Sequence, residues 1–234
     1  HLDLEAMESR GIKLYSLRPH KEFLDSIPSP AEHTWALLMG MLRKTASASL
    51  DVVNGNWNRD NFRGSQLKGK VIGVVGLGRT GLKVAKYAEV FDMSVQYLDP
   101  YVDNPKYKKV DTLEGLFKSS DIVSLHVHLN DETEGMIDYG LLSKMNKGSF
   151  LVNTSRGKIW LEADVNRAIN EGFLSGVATD VLSNEFANLT QSPLLKAAQE
   201  GGNVLITPHI GGATWEAMWG CEEFIASFCV SQLS

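Results

Sequence analysis

The sequence predicts an α/β fold built on a doubly wound parallel sheet, and three observations carry that reading. The first is the stretch from Lys70 to Asp99, KVIGVVGLGRTGLKVAKYAEVFDMSVQYLD. An apolar run turns through Gly76-x-Gly78-x-x-Gly81 into a helical pattern and returns as a second strand. The second is that strand-like runs and helical patterns keep alternating after Asp99, the rhythm of parallel strands joined by crossover helices. The third is that polar side chains recur just past the ends of those strand runs, where such sheets bind their ligands.

Taken in order, Leu4 to Ser9 is a short helical pattern stopped by Gly11, and Ile12 to Ser16 alternates as a strand would. Leu17 to Ser29, with Pro19 and Pro28 inside it and Pro30 just beyond, reads as a connector, because proline continues neither helix nor strand. Pro30 to about Leu50 is a helix, with Ser29 as N-cap, Pro30 at the first helical position and Glu32 in the first turn. Its stripe of Trp35, Leu38, Met39 and Leu42 belongs to a core or subunit interface. Asp51 to Gly69 is read as a polar loop.

Val71 to Val75 is the first sheet strand. Gly76 permits the tight turn out of it, Gly78 lets the backbone approach a pyrophosphate, and Gly81 lets helix and strand pack closely. The following helix offers free N–H groups and a positive dipole end to phosphate. Asp99, 18 residues past Gly81, is placed to accept hydrogen bonds from a ribose, and Pro100-Tyr101 after it favours NAD over NADP.

Beyond this unit, Leu113 to Ser119 is helical and Asp121 to Val127 a buried strand. Asp138 to Met145 is a short helix, Ser149 to Asn153 a strand, and Glu162 to Glu171 a helix ended by Gly172. Gly176 to Val181 and Val204 to Thr207 are strands, and Ala213 to about Val230 is the closing helix. Six sheet strands are thereby expected, marked by Val71, Val95, Ile122, Leu151, Val177 and Leu205.

Composition bounds the function. The chain has 234 residues, 43% of them hydrophobic, which is ample for a packed core. A formal charge of −5 argues against nucleic acid, and Lys106, Lys108 and Lys109 are too few to reverse it. Cys221 and Cys229 read as ordinary thiols of a cytoplasmic protein, with neither a CxxC pair nor a disulfide framework. No apolar run has membrane-spanning length, no signal peptide opens the chain, and no metal site is expected. The sequons at Asn153 and Asn188 are then coincidental. His1-Leu2-Asp3 begins as if in mid-helix, so a fragment of a longer protein is expected.

Four polar groups fall at strand ends: His126, Arg156, Asp180 and His209. Arg156 lies in Asn153-Thr154-Ser155-Arg156-Gly157, Asp180 is followed closely by Glu185, and His209 lies in Thr207-Pro208-His209-Ile210-Gly211-Gly212. A guanidinium can grip a carboxylate and polarise the adjacent carbonyl of a 2-oxo acid. An imidazolium can protonate the carbonyl oxygen as hydride arrives, and a carboxylate beside it favours its charged form and fixes its tautomer. Arg156, His209 and Glu185 fit these roles.

In this order, the glycine motif with Asp99, Leu125-His126-Val127, Val152 to Gly157, Asp180 with Glu185, and Thr207 to Gly212 closely resemble the D-isomer-specific 2-hydroxyacid dehydrogenases. The resemblance runs from about Asp3 to Glu223. It implies a Rossmann NAD-binding domain over residues 29–212. Residues 1–28 would be a remnant of a flavodoxin-like substrate domain, toward which a C-terminal helix at 213–234 returns. It implies Arg156, Glu185 and His209 as catalytic triad, Asp180 on the nicotinamide amide, and Arg79 and Thr80 by the pyrophosphate. His126, Thr154, Gly211 and Gly212 would complete the NAD site. It also implies a homodimer formed partly through the Pro30 to Leu50 helix and the loop after it.

Two departures stand out. His128 replaces the proline usual after the third strand and is read as a solvent-facing loop residue, and only the last helix and strand of the substrate domain, Leu4 to Ser16, are expected here. His20 and His33 are read as bland loop and helix residues, and Trp57, Trp160, Trp215 and Trp219 as packing or interface aromatics. A formate dehydrogenase, which pairs its histidine with glutamine, is disfavoured by Glu185. An NAD-binding scaffold resembling the dehydrogenase-related co-repressors is the alternative from another functional class.

Overall fold

Val71–Val75 (β1) hydrogen-bonds on one side to Ser94–Leu98 (β2) and on the other to Ile122–Leu125 (β4), so the sheet grows in both directions from this strand. The computed structural model describes residues 2–185 and 187–233. Among these, the other strands are Lys108–Lys109 (β3), Ser149–Asn153 (β5), Leu174–Thr179 (β6) and Val204–Ile206 (β7). The seven strands form one sheet in the order β3-β2-β1-β4-β5-β6-β7, and all six pairings are parallel.

The expected six strands are thus seven. Lys108–Lys109 is a two-residue, exposed edge strand that pairs with Gln96 and Tyr97 of β2. Two lysines give no apolar alternation to read, and charged short edges are how sheets blunt unpaired backbone.

The helices are Leu4–Ser9 (α1), Lys21–Ser26 (α2), Ser29–Arg43 (α3), Thr45–Val53 (α4), Arg79–Val90 (α5), Leu113–Ser119 (α6), Tyr139–Leu142 (α7), Glu162–Asn170 (α8), Pro193–Gln199 (α9) and Trp215–Leu233 (α10). The single helix expected from Pro30 to Leu50 is two, because Lys44 adopts φ 52° and breaks the hydrogen-bond run between α3 and α4. Ser29 is the first residue of α3 rather than a cap outside it. The supposed loop after Asp51 begins with the last turn of α4 and contains a 3-10 turn at Arg59–Phe62. The connector before Ser29 contains α2, and residues 12–16 form no strand. Helix α9 was not expected, although its start is written in the chain: the Ser192 side chain accepts from Leu195 N–H and Pro193 opens the helix.

Alternate strand residues feed two cores. Ile72, Val74, Ile122, Val152 and Ala178 pack with Trp35, Leu38 and Met41 of α3 and Val84 and Ala85 of α5. Their neighbours Val75, Val123, Leu151 and Val177 pack on the other face with Leu116 and Phe117 of α6, Val165 of α8 and Leu194 of α9. Helices on both faces of an all-parallel sheet are what near-continuous apolar strands require. Each fully buried side chain of this kind stabilises the fold by about 1.5–3 kcal/mol.

The chain divides into two units, residues 30–211 and residues 1–29 with 212–234. The first carries the sheet. In the second, Phe23 of α2 stacks on Phe224 of α10 at 4.2 Å between ring centroids. The His20 ring stands edge-on to Phe224 and Phe228.

Candidate active site

The register of a parallel sheet decides which residues stand side by side at its carboxyl edge. Val75 pairs with both Leu98 and Leu125, Leu125 with Asn153, Asn153 with Thr179, and Thr179 with Ile206. One residue further along each strand, Gly76, Asp99, His126, Thr154, Asp180 and Thr207 therefore form a row along one rim. Strand order reverses between β1 and β4, which makes that rim the ligand crevice of a doubly wound sheet.

At the glycine loop, sterics separate three roles. Gly76 has φ +87°, and a Cβ there would lie 2.6 Å from the His126 carbonyl oxygen. A Cβ on Gly81 would lie 2.0 Å from the Gly76 carbonyl oxygen, so α5 touches the loop backbone directly. Above Gly78 a Cβ would meet no atom of the described residues within 4 Å. Nothing among the described residues forbids a side chain at Gly78. The open cradle at the N-terminus of α5, where Arg79 is exposed and Thr80 half-buried, fits a dinucleotide pyrophosphate.

Asp99 is buried and holds this loop. Its Oδ2 accepts from Leu77 N–H (2.8 Å), and its Oδ1 accepts from the N–H groups of Tyr101 (2.8 Å) and Val102 (3.0 Å). These three donors leave one Oδ2 lone pair open, since a carboxylate has about four acceptor sites. His126 carries its imidazole back onto Ser124, Nε2 to Oγ 2.8 Å, and burial pushes its pKa down to about 4. At neutral pH it is uncharged. His128 is exposed.

The loop after β5 is built around Asn153, which is fully buried. Its Oδ1 accepts from Ser155 N–H and its Nδ2 donates to the Arg156 carbonyl, both at 3.0 Å. Gly157 follows because the Leu182–Ser183 peptide lies against it: a Cβ would fall 2.1 Å from the Leu182 carbonyl carbon. These contacts fix the Arg156 backbone and leave its exposed guanidinium to donate to the Ser155 carbonyl. The Oγ1 atoms of Thr154 and Thr34 are 2.8 Å apart.

After β6 and β7 the structure brings His209 and Glu185 together. His209 Nδ1 lies 3.1 Å from each Glu185 carboxylate oxygen, which leaves Nε2 unengaged by that pair. His209 adopts φ 56°, a left-handed conformation uncommon outside glycine and often found at functional sites. Its N–H donates to the carbonyls of Asp180 (2.9 Å) and Thr207 (3.0 Å), which hold it there. Asp180, Glu185 and His209 line a cavity of about 290 Å³ whose other walls include Leu182, Leu195 and Pro208.

Asp180 is almost completely buried. It receives Thr207 Oγ1–H (2.6 Å), Ile210 N–H (2.9 Å) and Gly211 N–H (2.7 Å). Burial raises its pKa, but the hydrogen bonds from His33, Thr207, Ile210 and Gly211 outweigh it and leave the carboxyl below its ordinary value. Gly211 thus acts through its N–H, and Gly212 has open space above its Cα.

Sequence reasoning missed His33, Thr207 and Ile210 as partners of Asp180. It read His33 as bland, yet His33 Nε2 is 3.1 Å from Asp180 Oδ1 and 3.0 Å from Thr207 Oγ1. It also passed over Glu162, whose carboxylate accepts from Ser183 N–H (2.7 Å) and Ser192 Oγ–H (2.5 Å) and so braces the segment carrying Glu185. No cluster of three or more His, Cys, Asp or Glu among the described residues is arranged to hold a metal ion. No helix among them is long and apolar enough to cross a membrane.

Residues 35–211 match the family model described as "D-isomer specific 2-hydroxyacid dehydrogenase, NAD binding domain". The chain is 35% identical to D-3-phosphoglycerate dehydrogenase of Archaeoglobus fulgidus over 235 residues, covering 99% of this chain but only 43% of that protein. It is 33% identical to glyoxylate reductase of Thermofilum pendens, covering 100% of this chain and 68% of the relative. Among solved structures it is similar to D-lactate dehydrogenase of Aquifex aeolicus complexed with NAD and lactic acid. That match has a TM-score of 0.80 and 29% identity, and covers 100% of this chain and 73% of that one.

Proposed function

The chain belongs to the D-isomer-specific 2-hydroxyacid dehydrogenases and carries their NAD-binding domain, and from that premise we propose that it interconverts a 2-oxo acid and a D-2-hydroxy acid. The observation that carries the reading is the His209–Glu185 pair at 3.1 Å, beside a cavity and on the same sheet rim as the glycine loop.

Gly76, Gly78, Arg79, Thr80 and Gly81 would hold the pyrophosphate and Asp99 a ribose. His126, Thr154, Asp180, Gly211 and Gly212 would line the rest of the NAD site. NADH, when bound, supplies the hydride. Glu185 accepts from His209 Nδ1–H, which fixes the tautomer and leaves Nε2–H to give its proton to the substrate carbonyl oxygen. In the reverse direction Nε2 takes that proton back from the hydroxyl. Arg156, with its planar cationic guanidinium, binds the substrate carboxylate and draws electron density from the adjacent carbonyl. On this reading residues 29–212 serve the cofactor, and residues 1–28 and 213–234 belong with a substrate domain.

Exposed apolar side chains on α4 and beyond it, Leu50, Val52, Val53 and Trp57, support a homodimer. Light scattering at micromolar concentration should give dimer mass, and a monomer would count against it.

The test of function is incubation of the full-length protein with NADH and a panel of 2-oxo acids followed by chiral analysis of the product. A D-2-hydroxy acid is expected. Binding of NADH with no product from any acid would favour a scaffold instead.

A further inference from the structure

We propose that His33 is a positioning residue for the nicotinamide end of the cofactor site, acting through Asp180 by leaving that carboxylate a single directed acceptor. The inference rests on the reading of Asp180 as the acceptor for the nicotinamide carboxamide.

The geometry is a count of lone pairs. Asp180 Oδ1 is met by three donors: His33 Nε2, Thr207 Oγ1 and Ile210 N. Asp180 Oδ2 is met by one, Gly211 N. A carboxylate offers about two acceptor sites per oxygen, so Oδ1 is saturated and only Oδ2 has one left.

The tautomer of His33 follows from its partners. An ionised carboxylate accepts only, and Thr207 Oγ1 has already donated its proton to Asp180, so His33 Nε2 must carry hydrogen toward both. Without that N–H, Oδ1 keeps two neutral donors and the carboxylate loses the contact that ties it to α3. Rotation about the side chain would then exchange the oxygens and blur the direction of the free lone pair.

The packing fits this. His33 is 16% and Asp180 2% exposed, so water can replace the imidazole only poorly. A Cβ on Gly211 would crowd Asp180 Oδ2 at 3.0 Å and rest in ordinary contact with His33 Cδ2 at 3.6 Å. Helix, strand end and loop therefore meet on one carboxylate.

The test compares NADH with ADP-ribose, which lacks the nicotinamide, by calorimetric titration of the whole chain. His33→Leu should weaken NADH about threefold to tenfold, the size of one net hydrogen bond, and change ADP-ribose less than about twofold. His33→Gln, whose amide N–H reaches as far as Nε2, should restore the preference for NADH, and His33→Asn, whose amide matches the nearer nitrogen, should not.

Equal losses for both ligands, or none for either, would overturn the proposal, as would rescue by asparagine but not glutamine. If Asp180→Asn selectively loses NADH while the His33 variants do not, the Asp180 reading stands and His33 has no part in it. A wild-type chain that binds neither ligand would overturn the cofactor reading and this inference together.

Discussion

Replacing Gly78 and Gly81 separately by alanine should divide cofactor binding from folding. At Gly81 the new methyl would fall 2.0 Å from the Gly76 carbonyl oxygen and 3.1 Å from Val74 Cγ1, so α5 must move off β1. Overpacking costs about 1–3 kcal/mol, partly offset by about 1 kcal/mol of helix propensity when glycine becomes alanine. Because backbone is the obstacle, the upper end applies and the net cost is about 2 kcal/mol. At Gly78 the methyl meets nothing within 4 Å, and φ −71° with ψ −162° suits any residue. The cost there is that of a poorer N-cap, about 0.5–1 kcal/mol. For a chain of this length 1 kcal/mol moves Tm by about 2–4 °C, so Gly81→Ala should lower Tm by about 4–8 °C and Gly78→Ala by about 1–4 °C. NADH titration should show the reverse ranking of damage per degree, with Gly78→Ala weakening affinity about tenfold or more by filling the cradle beside the pyrophosphate. Wild-type NADH affinity in Gly78→Ala, or a Tm loss equal to that of Gly81→Ala, would refute the assignment of the open space to a ligand.

Further outcomes follow from single contacts. Glu162→Ala strands the Ser183 N–H and Ser192 hydroxyl and should cost about 1–3 kcal/mol in thermal or urea unfolding. It should also lower turnover, because the segment it braces carries Glu185. Glu185→Gln should reduce kcat by about a hundredfold with NADH affinity intact, as read by steady-state kinetics and fluorescence titration. Burial depresses the His126 pKa to about 4, from an ordinary value near 6.5. The folded state therefore binds fewer protons than the unfolded one between those values. Stability present above about pH 6.5 should be lost as pH falls toward 4, by roughly 3 kcal/mol in all. In melts across that range His126→Gln should remove this part of the slope, and an unchanged slope would count against burial as the cause.

The parts of the fold legible in the sequence are those whose signals are local. The run SFLVN becomes β5 with all five residues buried, and the glycine loop is written in the steric needs of Gly76 and Gly81. Because every strand is parallel, residues just after apolar runs stand on one rim, and so the positions of Asp99, His126 and Asp180 along it could be read. What stayed hidden depends on tertiary contact. Lys108 and Lys109 form a strand only because β2 offers them an edge, and Lys44 breaks a helix whose periodicity runs through it. His33 looked bland because its partners Asp180 and Thr207 lie 147 and 174 residues away. Nothing in Ala31-Glu32-His33 announces that α3 will lie beside the ends of β6 and β7.

The most direct measurement is the rate of NADH oxidation by the full-length protein across a panel of 2-oxo acids, with His209→Asn run in parallel. Turnover with at least one acid is expected in the wild type, and its loss in the variant with NADH affinity preserved. Turnover that survives His209→Asn, or NADH binding with no turnover in the wild type, would contradict this expectation.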